Sequence, residues 1–228
     1  KIVGPGNAYV AMAKRLVFGA VGIDSVAGPS EVVVICDRTA NPAYVAADIL
    51  SQVEHGSGYE AGVVLVTDRA LAQRIADEVE RQLAVLPRME TATKALERFG
   101  AIFVVQSLDE AAAAANALAP EHVEIHTGDP EAVAEKVECA GAIFLGAMSS
   151  EPVGDYFAGT NHVLPTGGAA RFSSSLSVHD FVRDTSMIRY SAARLATTAR
   201  HIIAMAETEG LCAHAAAIRL RADDLTGL

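Results

Sequence analysis

The stretch EVVVICDRTANPAYVAADILSQVEHGSGYEAGVVLVT, Glu31 to Thr67, decides the fold because its hydrophobic pattern switches period and switches back. Glu31–Cys36 is a short β-branched run of strand length. Pro42–His55 is amphipathic at helical spacing, with Asn41 as N-cap and Pro42 at the first helical position. Gly62–Thr67 is β-branched again. A strand, a helix and a second strand in that order imply a βα unit and parallel pairing.

Outward from this unit the same alternation continues. Further strands are expected at Ala101–Gln106, His122–His126 and Ala142–Leu145. The helices expected between them are Arg69–Leu86, Glu90–Phe99, Leu108–Leu118 capped by Ser107, and Pro130–Cys139. The fold class is therefore α/β with a mainly parallel sheet. On the upstream side, Gly4-Pro5-Gly6-Asn7 leads into a helical run, Ala8–Phe18. From Val178 onward only helices are expected, Tyr190–Glu207 and Leu211–Leu220 around Gly210. This small all-helical tail is apolar on one face and is expected to pack on the sheet domain or on a partner subunit. The chain opens at Lys1 and runs almost at once into a turn that reads as the middle of a domain, so further sequence is expected upstream.

Composition narrows the function classes. A chain of 228 residues, 51% hydrophobic and 20% charged, describes a soluble globular protein. Its net charge of -10 argues against a nucleic-acid partner, which needs a concentrated basic face, and favours a small-molecule ligand. Cys36, Cys139 and Cys212 are odd in number and widely spaced, so a disulfide framework is not expected and a reducing cytoplasm is the default location. No apolar run is long enough to span a bilayer.

Several segments carry chemistry. Gly154-Asp155-Tyr156-Phe157-Ala158-Gly159-Thr160-Asn161-His162, continuing to Thr166, mixes a carboxylate, a phenol, a carboxamide and an imidazole among glycines, and reads as an active-site loop. Gln52 and His55 lie three apart at a helix end and can converge on one point, although alone they also read as an ordinary C-terminus. Glu209 and His214 flank another helix start, where a cap and a surface histidine are the plain alternative. Gln52, His55, Asp155 and His214 together offer two imidazoles, a carboxylate and a carboxamide oxygen, a donor set that suits zinc with a position left for substrate. Pro120-Glu121-His122 places an acid and a base at the mouth of a strand, where α/β proteins build their sites. Both side chains can serve one site only if the pair precedes the regular strand. The alternation His122, Glu124, His126 reads equally as the polar face of that strand. Gly4-Pro5-Gly6-Asn7 could present a helix N-terminus to a phosphate or be a simple capped loop, and Ser30 ends what could be a plain turn.

The segments VGPGNAYV, AGPSEVVVI, DILSQVEHG, APEHVEI, GAIFLG, GDYFAGTNHVLPT, FSSSLSVHDF and EGLCAHA, in this order, resemble the second half of histidinol dehydrogenase, over essentially the whole chain. That resemblance implies a cytoplasmic homodimer that uses zinc and NAD to oxidise L-histidinol through the aldehyde to L-histidine, the last steps of histidine biosynthesis. It implies that Gln52, His55, Asp155 and His214 bind zinc and that Glu121 and His122 are the acid/base pair. Ser30, His162 and Glu209 would contact substrate, as would the zinc ligands and His122, and Asn7 would touch NAD. The implied sheet is Rossmann-like and incomplete at the front: residues 1–30 would be the remnant of an NAD-side lobe, 31–177 the zinc and substrate domain, and 178–228 a tail exchanged with the partner subunit. Two other readings stay open. One is a related enzyme that oxidises another polar alcohol, such as a sulfonated diol; the other is an inactive zinc-binding dimerisation domain.

Overall fold

The computed structural model describes residues 1–226. The chain divides into two compact units, Lys1–Val182 and a second that begins at Arg183. In the first unit a helix α1 (Ala8–Val17) precedes five repeats of strand and helix. These are β1 (Glu31–Cys36) and α2 (Pro42–Val53), β2 (Ala61–Val66) and α3 (Arg69–Leu83) with α4 (Met89–Phe99), β3 (Gly100–Val104) and α5 (Leu108–Leu118), β4 (His122–His126) and α6 (Pro130–Ala134), then β5 (Ala142–Leu145) and α7 (Glu151–Tyr156). The strands make one sheet in the order β3-β2-β1-β4-β5, and every pairing is parallel. The α/β, parallel-sheet expectation is met.

The elements follow from local chemistry. Asn41 accepts the Ala43 N–H, and Pro42 occupies the first turn of α2 without an N–H to waste. Asp68, Ser107 and Asp129 cap α3, α5 and α6 in the same way. Strand β1 is central and buried on both faces: Val32, Val34 and Cys36 pack with Val45 and Ile49 of α2, while Val33 and Ile35 pack with Ala111 and Ala115 of α5. Strand β4 is divided instead. Val123 and Ile125 join the α5 side, but its other face carries His122, Glu124 and His126, all buried.

Two expectations need correction here. Gly154-Asp155-Tyr156 is not loop but the last half of α7, because Ser150 stands at the N-cap and Pro152 in the first turn. A six-residue helix has too few turns to show a period in sequence. The alternation on β4 is polar but is not a solvated face, since α2 and α7 supply side chains that cover it.

In the second unit, α8 (Ala192–Thr208) and α9 (Cys212–Thr226) pack on each other. Gly210, at φ 73°, closes α8 with its N–H on the Glu207 carbonyl, and the Leu211 N–H reaches back to Ala206.

Candidate active site

Side chains at the amino edges of β1 and β4 converge. Ser30 immediately precedes β1, and Glu121 sits in the bend immediately before β4, which is the placement that lets the Glu121–His122 pair serve one site. This cluster lies opposite the carboxyl ends where open parallel sheets usually bind ligands, so the rule by which the sequence expectation chose this strand mouth points to the other end. The reason is directional: α2 runs back against β1, so Gln52 and His55 at its end arrive at the amino edge.

At that edge His122 Nδ1 lies 3.2 Å from the Glu31 carbonyl, which can only accept, so this nitrogen carries the proton and Nε2 keeps a free lone pair. Burial holds the imidazole down at about 4, against the opposing pull of Asp155. Glu121 Oε2 is 3.7 Å from the same nitrogen. Burial pushes its carboxyl up to about 8, although the Glu31 N–H and the Ser30 hydroxyl bond to it. Both shifts run against an ion pair, so a neutral acid sits beside a neutral imidazole.

Asp155, on α7, forms a cluster with His122 and Glu151 whose polar atoms lie within 4.8 Å of one another. Burial raises the Glu151 carboxyl, as does its hydrogen bond with Asp155. Gln52 is 1% exposed, and neither atom of its carboxamide has a hydrogen-bond partner. His55 is exposed, with Nδ1 2.8 Å from the Gln52 carbonyl, and it is near enough to His122 to oppose its protonation. A cleft of about 980 Å³ opens beside these groups, lined by Asn7, Ser30, His55, Tyr59, Thr166 and Phe172 among others. Thr166 ties its walls together by accepting the Gly28 N–H at 2.5 Å.

Of the residues nominated from sequence, Ser30, Gln52, His55, Glu121, His122 and Asp155 thus belong to one region of the first unit. Asn7 reaches the same cleft while capping α1 through the Tyr9 and Val10 N–H groups. His162 is exposed in the irregular segment after α7. Glu209, the C-cap of α8, and His214, on α9, are exposed on the second unit. Sequence reasoning missed Glu151 and the buried group Asp48, Glu124 and His126, whose polar atoms also lie within 4.8 Å of one another. The signal existed in the spacing: Glu151 precedes Asp155, and Asp48 precedes Gln52, by one helical turn.

The family model for histidinol dehydrogenase matches residues 1–222. The chain belongs to the histidinol dehydrogenase family. A histidinol dehydrogenase from Halalkalibacterium halodurans is 56% identical over 225 residues, covering 98% of this chain and 53% of the relative. One from Bacillus cereus (strain ATCC 14579) is 53% identical over 224 residues, covering 98% and 52%. The crystal structure of histidinol dehydrogenase from Elizabethkingia anophelis superposes with a TM-score of 0.89 at 42% identity, over 99% of this chain and 52% of that one. The chain spans about half the length of the curated relatives it matches. Among the described residues no helix is long and apolar enough to cross a membrane.

Proposed function

We propose that this histidinol dehydrogenase family chain carries the zinc and substrate side of an enzyme that oxidises L-histidinol, through the aldehyde, to L-histidine with NAD. The observation that carries this is Gln52. A carboxamide buried with both its polar atoms unpartnered is costly, and a ligand on its oxygen removes the oxygen's share of that cost. With His55 and Asp155 it supplies the mixed nitrogen and oxygen donors that zinc accepts, and the family resemblance adds His214 as the fourth. Zinc, when bound, holds the substrate's imidazole and amine as a template, and NAD, when bound, accepts hydride.

The chain's own residues do the rest. His122 is held neutral with Nε2 free, so it can take the alcohol proton. Glu121 titrates near neutral pH and suits the activation of water against the bound aldehyde. Ser30, already bonded to Glu121, lines the cleft where substrate would enter, and Asn7, which lines the same cleft, would contact NAD. His162 and Glu209 complete the substrate contacts.

Residues 1–30 belong to the NAD-side lobe, 31–177 to the zinc and substrate domain, and 178–228 to a tail that crosses to the partner of a cytoplasmic homodimer. Tyr156 and Phe157, directly after Asp155, are 85% and 92% exposed, which supports a second surface closing over the site. Calorimetric titration of L-histidinol into the zinc-loaded chain tests the proposal, with zinc-free protein and a sulfonated diol as controls. Zinc-dependent binding selective for histidinol is expected; selective binding of the diol would move the assignment to another polar alcohol.

A further inference from the structure

Glu124 is fully buried two residues after His122, on the same face of β4, and the reaction gives it no part. Its Oε1 accepts the Glu151 N–H at 2.7 Å in a buried hydrogen bond. Its Oε2 lies 3.5 Å from His126 Nε2, which lies 3.5 Å from Asp48 Oδ2. Glu151 is the first residue of α7, a helix of only six residues. Ser150 makes no side-chain bond to the helix it precedes, and Pro152 has no N–H to offer. A carboxyl from the neighbouring strand therefore does what a capping side chain does elsewhere. Asp155 stands four residues further, one turn along the same helix face, with its carboxylate against His122.

We propose that Glu124 is a positioning residue for the metal ligand Asp155. Strand β4 is hydrogen-bonded on both sides, to β1 and β5, and is a firm reference near the site. It carries the base His122 directly and, through Glu124, fixes the start of the helix that carries Asp155. Base and ligand are thereby held at one spacing from a single strand. Asp48 and His126 lie on the other side of Glu124, with polar atoms within 4.8 Å of its carboxyl.

The proposal rests on the zinc reading above, and zinc affinity of the full chain, measured by competition with a chelator, tests both. E124A is expected to bind zinc about 10–100-fold more weakly, the usual loss when an outer partner of a ligand is removed. E124Q keeps an accepting oxygen for the Glu151 N–H and is expected to recover most of that loss. In metal-free protein, deuterium exchange at the Glu151 amide should speed up in E124A and stay slow in E124Q. Should E124A not fold, E124D decides: it withdraws the carboxyl by one methylene and should cost about tenfold in zinc affinity. E124A or E124D binding as tightly as the parent, or E124Q no better than E124A, would overturn the proposal alone. A parent chain that binds no zinc would overturn the zinc reading and the proposal together.

Discussion

Burial decides the charge state of His122 and Glu121 more than either does to the other. The imidazole is lowered from 6.5 to about 4 and the carboxyl raised from 4.5 to about 8, each with desolvation as the largest cause. The stability contributed by Glu121 is fully present below its unfolded value near 4.5 and is lost as pH rises through about 8. That of His122 is fully present above about 6.5 and is lost as pH falls toward 4. Between about 4.5 and 6.5 the two slopes oppose each other, and from 6.5 to 8 Glu121 acts alone of the pair. The metal-free chain should therefore unfold at lower urea at pH 8 than at pH 6.5, and Glu121→Gln should shrink that difference; an unchanged difference would mean that Glu121 is ionised in the folded chain. If the proposed function holds, His122→Asn in a full-length version should slow histidinol oxidation by about 10²–10⁴-fold with zinc content retained. Turnover near that of the parent would remove His122 as the base. That Glu121 and His122 come together was legible because the pair stands in succession at a strand mouth. Glu124 and His126 were not, because alternation alone does not say whether a strand's polar face meets water or other side chains.

Elements set the spacing of these groups. The strands β1, β4 and β5 were legible to the residue, since β-branched runs bounded by Gly, Pro and Asp have sharp ends. Helix ends were less so: α6 stops at Ala134 rather than continuing to Cys139, and α7 was invisible as a helix. Its place depends on Gly154, where a Cβ would meet the Phe144 ring of β5 at 2.7 and 2.9 Å. Phe144 in turn lies 5.9 Å, ring centre to ring centre, from His122. Gly154→Ala should push α7 off β5 and cost about 1–3 kcal/mol, as overpacking does. Phe144→Leu, which trims the ring, should recover part of that loss in the double variant. Thermal melts of the two single variants and the double form the cycle, and strictly additive losses would show that the two residues do not meet.

At the scale of the whole molecule, Asp155 lies in the first unit and His214 in the second. If the tail crosses between subunits, a chain lacking Asp155 and a chain lacking His214 each spoil their own sites but can complete one between them. Co-refolding Asp155→Ala with His214→Ala should then restore about a quarter of parental activity by random pairing, while each alone stays inactive. No recovery on mixing would place both ligands of a site on one chain. The buried polar row on β4 has a consequence for folding as well. Its register sets His122, Glu124 and His126 beside Val32, Val34 and Cys36 of β1. Sliding β4 by one residue would turn its three polar side chains into the alanine-lined layer under α5, and sliding by two would carry Glu124 away from the Glu151 amide that it bonds. Either slip strands a carboxyl in a dry core, at several kcal/mol. A row of valines could slide more cheaply, so these three residues act as a key that admits one alignment of two strands separated by some ninety residues of chain.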